Sequence, residues 1–334
     1  MADRRDFLNT CALGLVSALA LSANSASAQD QKVVLQLAWL PNAAAAGEIV
    51  ALKKGYFKDL GLDVEILSGG PSSNPVQETL AGVATIAHAY APQIMYAGNQ
   101  GLPIKSFGAS FQMAPLTFFS LGESNIKTVK DWKGKNVGAA QSAEAQLKAI
   151  LDYNGMSMSD ITFVQAQPPA LMQGQVDVVA SWPTNVAQIA PITTHPGGYN
   201  TQTIWDNGLQ FQSNYYVATT ATIENDTAAL VKFMEAVDKG WSYAADNPKD
   251  AIEMVASMSE GLDRDKELDA LTVMFDVGYI YNEDTREFGF ANVDAGRWQR
   301  TLDTYAKIGE VKETLKAADV FDDRVLKAAK RTKR

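Results

Sequence analysis

The chain has 334 residues, 46% of them hydrophobic and 20% charged, the composition of an ordinary globular protein of about two domains rather than a disordered one. Lys plus Arg number 29 against 38 Asp plus Glu, a net charge of -9, so the chain repels phosphate backbones and nucleic acid is not expected as a partner. One Cys and two His argue against a Cys-rich zinc site, a disulfide scaffold or any other protein-built metal centre.

Residues 1–28 read as an address. The pair Arg4-Arg5 is followed by Phe7 and Leu8, then by an apolar run from Ala12 to Ala23 that is too short to span a bilayer. Ala26-Ser27-Ala28 supplies the small residues that signal peptidase needs. This is the layout of a Tat-type signal peptide, and it predicts export to the periplasm. Cys11 precedes the apolar run instead of following it, which argues against a lipid anchor.

Beyond the signal, short apolar runs alternate with helical stretches. Val33 to Leu37 reads as a buried strand, ending at Trp39-Leu40-Pro41-Asn42. Asn42 is placed to cap an Ala-rich helix that runs to about Phe57. Leu62 to Leu67 alternates as a strand should, and the turn-rich loop Gly69 to Pro75 leads into a short helix at 76–80. Strands are expected at 85–89 and 104–109, with a helix at 91–98 between them, and a further strand at 116–121. A second alternating set follows: strands at 136–140, 161–164 and 176–180, with helices at 144–153, 169–173 and 184–189. Tyr215 to Ala221 is strand-like. After Asp226 the pattern is almost purely helical, with helices expected at 227–245, 248–258, 264–281, 294–308 and 311–330.

Such alternation calls for largely parallel sheets covered on both faces. The chain crosses between the two sets near 117–121 and returns near 215–220. The expected organisation is a first lobe of 29–117 plus 221–334, with the helical C-terminal part packed on it, and a second lobe of 118–220. Two lobes joined by two crossings make a hinge and a cleft. Ligands of open α/β sheets sit outside the carboxyl ends of the strands. That rule points to Trp39–Asn42, Gly69–Asn74, His88–Pro92, Gln141–Glu144 and Ser181–Asn185.

Several of these segments carry a resemblance. Trp39-Leu40-Pro41-Asn42, Gly47, Val50-Ala51-Leu52 with Lys54-Gly55-Tyr56-Phe57, and Gly61-Leu62-Asp63-Val64-Glu65 resemble the start of ABC-transporter substrate-binding proteins. The branch is the one that binds thiamine-precursor pyrimidines and riboflavin, related to taurine, aliphatic sulfonate and nitrate binding proteins. Gly69-Gly70-Pro71, Asn74-Pro75-Val76, Gly101-Leu102-Pro103, Lys127, and Asp131-Trp132-Lys133-Gly134-Lys135 with Val137-Gly138 continue it, so that it covers about residues 33–260. The resemblance implies an α/β, two-lobed periplasmic-binding-protein fold of type II, a small-molecule ligand, an ABC permease with its ATPase as partners, and no cofactor.

The candidate ligand-binding residues are Trp39, Asn42, Ser72, Asn74 and Tyr90 from the first lobe, Ser142, Glu144, Trp182 and Asn185 from the second, and Tyr215 at the return crossing. The set is rich in aromatics, on which a flat heterocycle can stack, and amides, hydroxyls and a carboxylate can then read ring nitrogens. Each has a structural alternative. Asn42, Ser72 and Ser142 suit helix caps, Glu144 suits a helix N-terminal turn, and the aromatics suit the core. Trp132, Trp205, Trp241 and Trp298 are expected to be structural, His88 a hydrogen-bonded structural residue, and His195 part of a surface turn. No Lys or Arg falls in the predicted cleft segments, which argues against a fully ionised ligand. No Gly-x-Ser-x-Gly occurs, and no Gly-Lys-Ser/Thr follows Gly69-Gly70. A pyrimidine-synthase-like enzyme on the same fold would resemble this family but uses a Cys-rich motif that the chain lacks. The expected function is therefore binding without catalysis, by a monomer, with a sulfonate, taurine or nitrate type of anion as the alternative ligand.

Overall fold

A computed structural model describes residues 30–70 and 73–334. The expected signal segment, including Arg4, Arg5 and Cys11, lies outside the described residues, and so does Ser72. The described residues form ten strands: β1 (Gln31–Gln36), β2 (Leu62–Leu67), β3 (Ile86–Ala89), β4 (Ile104–Phe111), β5 (Thr117–Leu121), β6 (Asn136–Ala139), β7 (Thr162–Gln165), β8 (Val178–Ser181), β9 (Tyr199–Thr203) and β10 (Ser213–Thr219). They form two five-stranded sheets, ordered β2-β1-β3-β10-β4 and β7-β6-β8-β5-β9.

Each sheet is parallel except for one strand. In the first sheet β10 runs antiparallel to both β3 and β4; in the second, β5 runs antiparallel to β8 and β9. These are the strands by which the chain enters one lobe from the other. That corrects the expected hinge. Residues 117–121 and 215–220 were expected as crossings, but the first segment is a strand of the second sheet and most of the other lies in β10 of the first. Both strands are buried along nearly their whole length, as interior strands covered on both faces are. The crossings are residues 112–116 and 204–212, and they run side by side, Ala114 N–H donating to Phe211 O (2.9 Å) and Ile204 N–H to Leu116 O (3.2 Å).

The helices are α1 (Ala46–Lys53), α2 (Pro75–Leu80), α3 (Ala91–Asn99), α4 (Glu144–Tyr153), α5 (Pro169–Met172), α6 (Val186–Thr193), α7 (Thr220–Asn225), α8 (Thr227–Asp246), α9 (Pro248–Ala256), α10 (Arg264–Asp276), α11 (Glu283–Phe288), α12 (Ala295–Lys307), α13 (Ala317–Val320) and α14 (Arg324–Ala328). The longest, α8, lies against α1 at two glycines. A Cβ on Gly240 would sit 1.9 Å from the Gly47 carbonyl oxygen, and one on Gly47 would sit 2.1 Å from the Trp241 ring. Small residues at both positions let the two helices approach closely. The C-terminal helices then close the exposed edge of the first sheet: Ser106 on β4 donates its hydroxyl to Val320 O (2.9 Å) and bridges to Phe321. The result is a two-lobed α/β fold whose helical C-terminal part packs mainly on the first lobe. None of the described helices is long and apolar enough to cross a membrane.

Candidate ligand-binding cleft

A cleft of about 430 Å³ opens between the lobes. The first lobe contributes the loop after β1 (Leu37 to Ala45), then His88 and Tyr90 at the end of β3, and Asn214 on β10. The second lobe contributes Trp182 and Thr184 to Gln188, after β8. A third wall comes from α10, through Lys266, Glu267, Ala270 and Met274.

Five of the ten candidate residues meet here: Trp39, Asn42, Tyr90, Trp182 and Asn185. The loop carrying Trp39 is held by a close backbone contact. Gly69 donates its N–H to Trp39 O (3.1 Å), and a Cβ on Gly69 would fall 2.3 Å from Leu37 O. Trp39 itself is 47% exposed, so part of its ring faces the cleft. The Tyr90 and Trp182 rings meet edge to face across the lobes, with centroids 5.5 Å apart and planes at 83°. Burial pushes the Tyr90 hydroxyl up to about 12, so it stays protonated at neutral pH. Asn42 takes its expected capping role as well: its Oδ1 accepts the Ala44 N–H (2.9 Å). Asn185 starts α6 without a side-chain cap bond, so its amide is not committed to the helix it precedes.

Of the other five, Ser72 is outside the described residues. Asn74 caps α2, accepting the Gln77 N–H, and does not line the cleft. Ser142 is exposed on the turn before α4 and lines nothing there. Glu144 is a further correction. Its carboxylate is taken by Gln141 and by Lys148, 3.2 Å away, and Lys148 reaches on to Glu310 (2.9 Å), which also accepts the Tyr96 hydroxyl (3.0 Å). Glu144 thus belongs to a charged seam between α4 and the C-terminal part. Tyr215 is corrected too. It is fully buried, 4.9 Å from the Trp298 ring, with its hydroxyl accepting the Gln212 N–H, so its side chain packs in the core and does not line the cleft.

Three cleft groups were not legible as such. Asn214 is 4% exposed at a positive φ of 48°, a conformation that Asn tolerates better than most residues. Glu267 accepts the Ala43 N–H (2.8 Å) from 224 positions away, and burial raises its carboxyl above the usual range. Lys266 puts a cation at the rim where none was expected, though it pairs with Asp263 at 3.4 Å. Helix α10 approaches the cleft only through tertiary packing, so no local signal could have announced these residues.

Beneath the cleft lies a buried polar cluster. Glu48 on α1 is fully buried and its Oε1 contacts both His88 Nε2 (3.2 Å) and the Tyr216 hydroxyl. Burial, reinforced by the Glu48 charge, holds the Tyr216 hydroxyl far above its ordinary value, so the phenol donates and the carboxylate accepts. The Glu48 Oε2 atom has no hydrogen-bond partner among the described residues.

A mixed α/β chain in two lobes, with its cleft at the carboxyl ends of the strands, has the architecture of a periplasmic binding protein. Among solved structures it is similar to the periplasmic aliphatic sulphonate binding protein SsuA from Escherichia coli. The TM-score is 0.70, with 91% of this chain and 95% of that one covered; at 15% identity this likeness shows the fold alone. Residues 42–251 match the family described as NMT1/THI5 like, and the chain belongs to that family. It is 24% identical to the formylaminopyrimidine-binding protein of Halalkalibacterium halodurans over 89% of this chain and 92% of that protein. It is 25% identical to the riboflavin-binding protein RibY of Chloroflexus aurantiacus, covering 81% and 79%.

Proposed function

We propose that the chain is the exported solute-binding component of an ABC importer. It captures a small flat nitrogen heterocycle, a thiamine-precursor pyrimidine or a riboflavin-like molecule, and delivers it to a membrane permease driven by an ATPase. It works in the periplasm as a monomer, and it binds its ligand without altering it.

The carrying observation is the aromatic pair contributed one ring from each lobe, Tyr90 and Trp182, with the half-exposed Trp39 beside them. Aromatic surface on both jaws is what a planar ring requires, since stacked or edge-on pairs add ~0.5–1.5 kcal/mol beyond burial. The cleft volume of about 430 Å³ falls in the usual range for small-molecule sites. The names of the two relatives support the same ligand class.

A second reading, a sulfonate or similar small anion, has one observation in its favour, the Lys266 ammonium at the rim. A thermal-shift and calorimetric screen of pyrimidines, riboflavin, taurine, alkyl sulfonates and nitrate separates the two, because a ligand selective for the folded state raises its melting temperature. Stabilisation by a pyrimidine or flavin, recovered chemically unchanged, is the expected result. Stabilisation by the anions alone, or conversion of the bound heterocycle, overturns the proposal.

A further inference from the structure

The buried cluster under the cleft does more than fill the core. A carboxylate with no exposure is costly unless its charge is met by donors. Glu48 is met by two, the Tyr216 hydroxyl and the His88 imidazole, and both act on the same oxygen. Whichever imidazole nitrogen faces a carboxylate carries the proton, and that hydrogen bond sets the state of the other nitrogen. In this chain the carboxylate faces Nε2.

His88 is only 3% exposed, yet it lines the cleft. With Nε2 committed, Nδ1 is its one remaining polar atom, and it has no hydrogen-bond partner among the described residues. The edge-on contact of the His88 and Tyr216 rings, 5.1 Å between centroids, holds the imidazole against rotation.

We propose that Glu48 and Tyr216 lock His88 in the Nε2–H tautomer, so that Nδ1 is a hydrogen-bond acceptor in the cleft and selects ligands bearing an N–H donor. Glu48 and Tyr216 are positioning residues; His88 is the residue that reads the ligand. The inference rests on the heterocycle reading above and sharpens it. The ligand must present a ring N–H or an exocyclic amino group, and an oxyanion would meet a lone pair backed by a buried negative charge.

The chain has two His, which makes the first test direct. In protein labelled with ¹⁵N-histidine, long-range ¹H–¹⁵N spectra of the unliganded full chain should show one imidazole with two well separated nitrogen shifts and its proton on Nε2. His88→Gln identifies that signal by its loss. Nearly equal shifts at neutral pH, or the proton on Nδ1, overturn the proposal. This spectrum needs no ligand, so it decides the tautomer even if no pyrimidine binds and the transport reading fails.

The second test uses 4-amino-5-hydroxymethyl-2-methylpyrimidine and its 4-dimethylamino counterpart, which lacks the amino N–H. Wild type should prefer the amino compound by about tenfold or more. His88→Gln, which keeps an acceptor, should retain a preference. Replacing His88 by Phe and Glu48 by Gln together, so that no buried charge is left unpaired, should abolish it. Equal affinity of wild type for the two probes, or an unchanged preference in that double variant, refutes the role in selection.

Discussion

Trp39→Ala gives the most direct reading of whether the aromatic surface of the cleft is a binding surface. The side chain has two halves with separate consequences. A buried Trp covers roughly 200 Å². With 47% of the residue exposed, about 100 Å² is covered by the protein and a similar area faces the cleft. Losing the covered half should lower folding stability by at most about 2.5 kcal/mol at ~25 cal/mol per Å². A domain stable by ~5–15 kcal/mol survives that, so the variant remains folded. The cleft-facing half contributes nothing to the unliganded protein. If a flat ligand covers it, the same area arithmetic gives about 2.5 kcal/mol of binding, or between one and two decades in Kd. Urea unfolding without ligand reads the first quantity. Isothermal titration with 4-amino-5-hydroxymethyl-2-methylpyrimidine or riboflavin, on protein shown to be folded by circular dichroism, reads the second. A Kd within threefold of wild type would refute the stacking argument, whatever the loss of stability.

Gly240→Ala tests the close crossing of α1 and α8. The new Cβ would lie 1.9 Å from Gly47 O and 3.1 Å from Ala51 N, backbone atoms that cannot rotate away. Overpacking of ~1–3 kcal/mol should outweigh the gain in helix propensity of about 1 kcal/mol, lowering the urea midpoint; an unchanged or higher midpoint contradicts the reading. Glu267 gives a pH dependence. Its folded-state pKa is raised, first by burial, so the folded state binds the proton more tightly than the unfolded one. The resulting stability is present in acid and is lost as pH rises through the usual carboxyl range to the raised value. Glu267→Gln should therefore gain stability relative to wild type as pH climbs through that window, and parallel stability–pH curves would count against it. Lys148 sits between Glu144 and Glu310 in the charged seam. Its pairs are partly exposed, so Lys148→Met should change the melting temperature little, but it leaves two carboxylates facing each other. If those ion pairs help hold α4 against the C-terminal part, small-angle scattering of the unliganded variant should show a larger radius of gyration than wild type; identical profiles contradict that.

The elements best read from the sequence are those whose local signals agree with their tertiary surroundings. Helix α4 was expected at 144–153, the residues it occupies, and α8 was expected to within one residue, because both carry an apolar stripe and clear flanks. Strand β9 was missed: Tyr-Asn-Thr-Gln-Thr is a polar edge strand with no alternation to detect. The helix expected over 264–281 stops at Asp276, with Gly278 just beyond it at a φ of 83°, a left-handed turn that ends the run. The helix expected over 311–330 is two short ones, broken at Phe321, which leaves helical geometry to bridge to β4. Those errors have one source. Where a segment's partner lies far away in sequence, periodicity reports burial but not what does the burying. The same blindness divided the candidate site. The strand-end rule brought Trp39, Asn42, Tyr90, Trp182 and Asn185 together, since each follows directly from a strand's direction. It could not see that Glu144 would be claimed by Lys148, or that α10 would supply a wall.

The way the donors around the cleft are used bears on the charge of its occupant. A loop leading into a helix, as at Asn42–Ala46, is the usual place for an anion, because its first N–H groups lack intrahelical partners. Here two of those groups are already occupied. Asn42 Oδ1 takes the Ala44 N–H, and the Glu267 carboxylate takes the Ala43 N–H. An incoming sulfonate would have to displace a carboxylate that the fold itself holds there. The one ammonium at the rim among the described residues, Lys266, is already paired with Asp263. The uncommitted groups in the cleft include the aromatic faces, the Asn185 amide and one imidazole nitrogen, together with the Thr184 and Gln188 side chains and the first N–H groups of α6 at Val186 and Ala187. A fully ionised ligand needs either a cation or several unspent N–H groups to replace its hydration. A neutral ring with its own N–H donors needs neither, and it can stack on the rings in the same position.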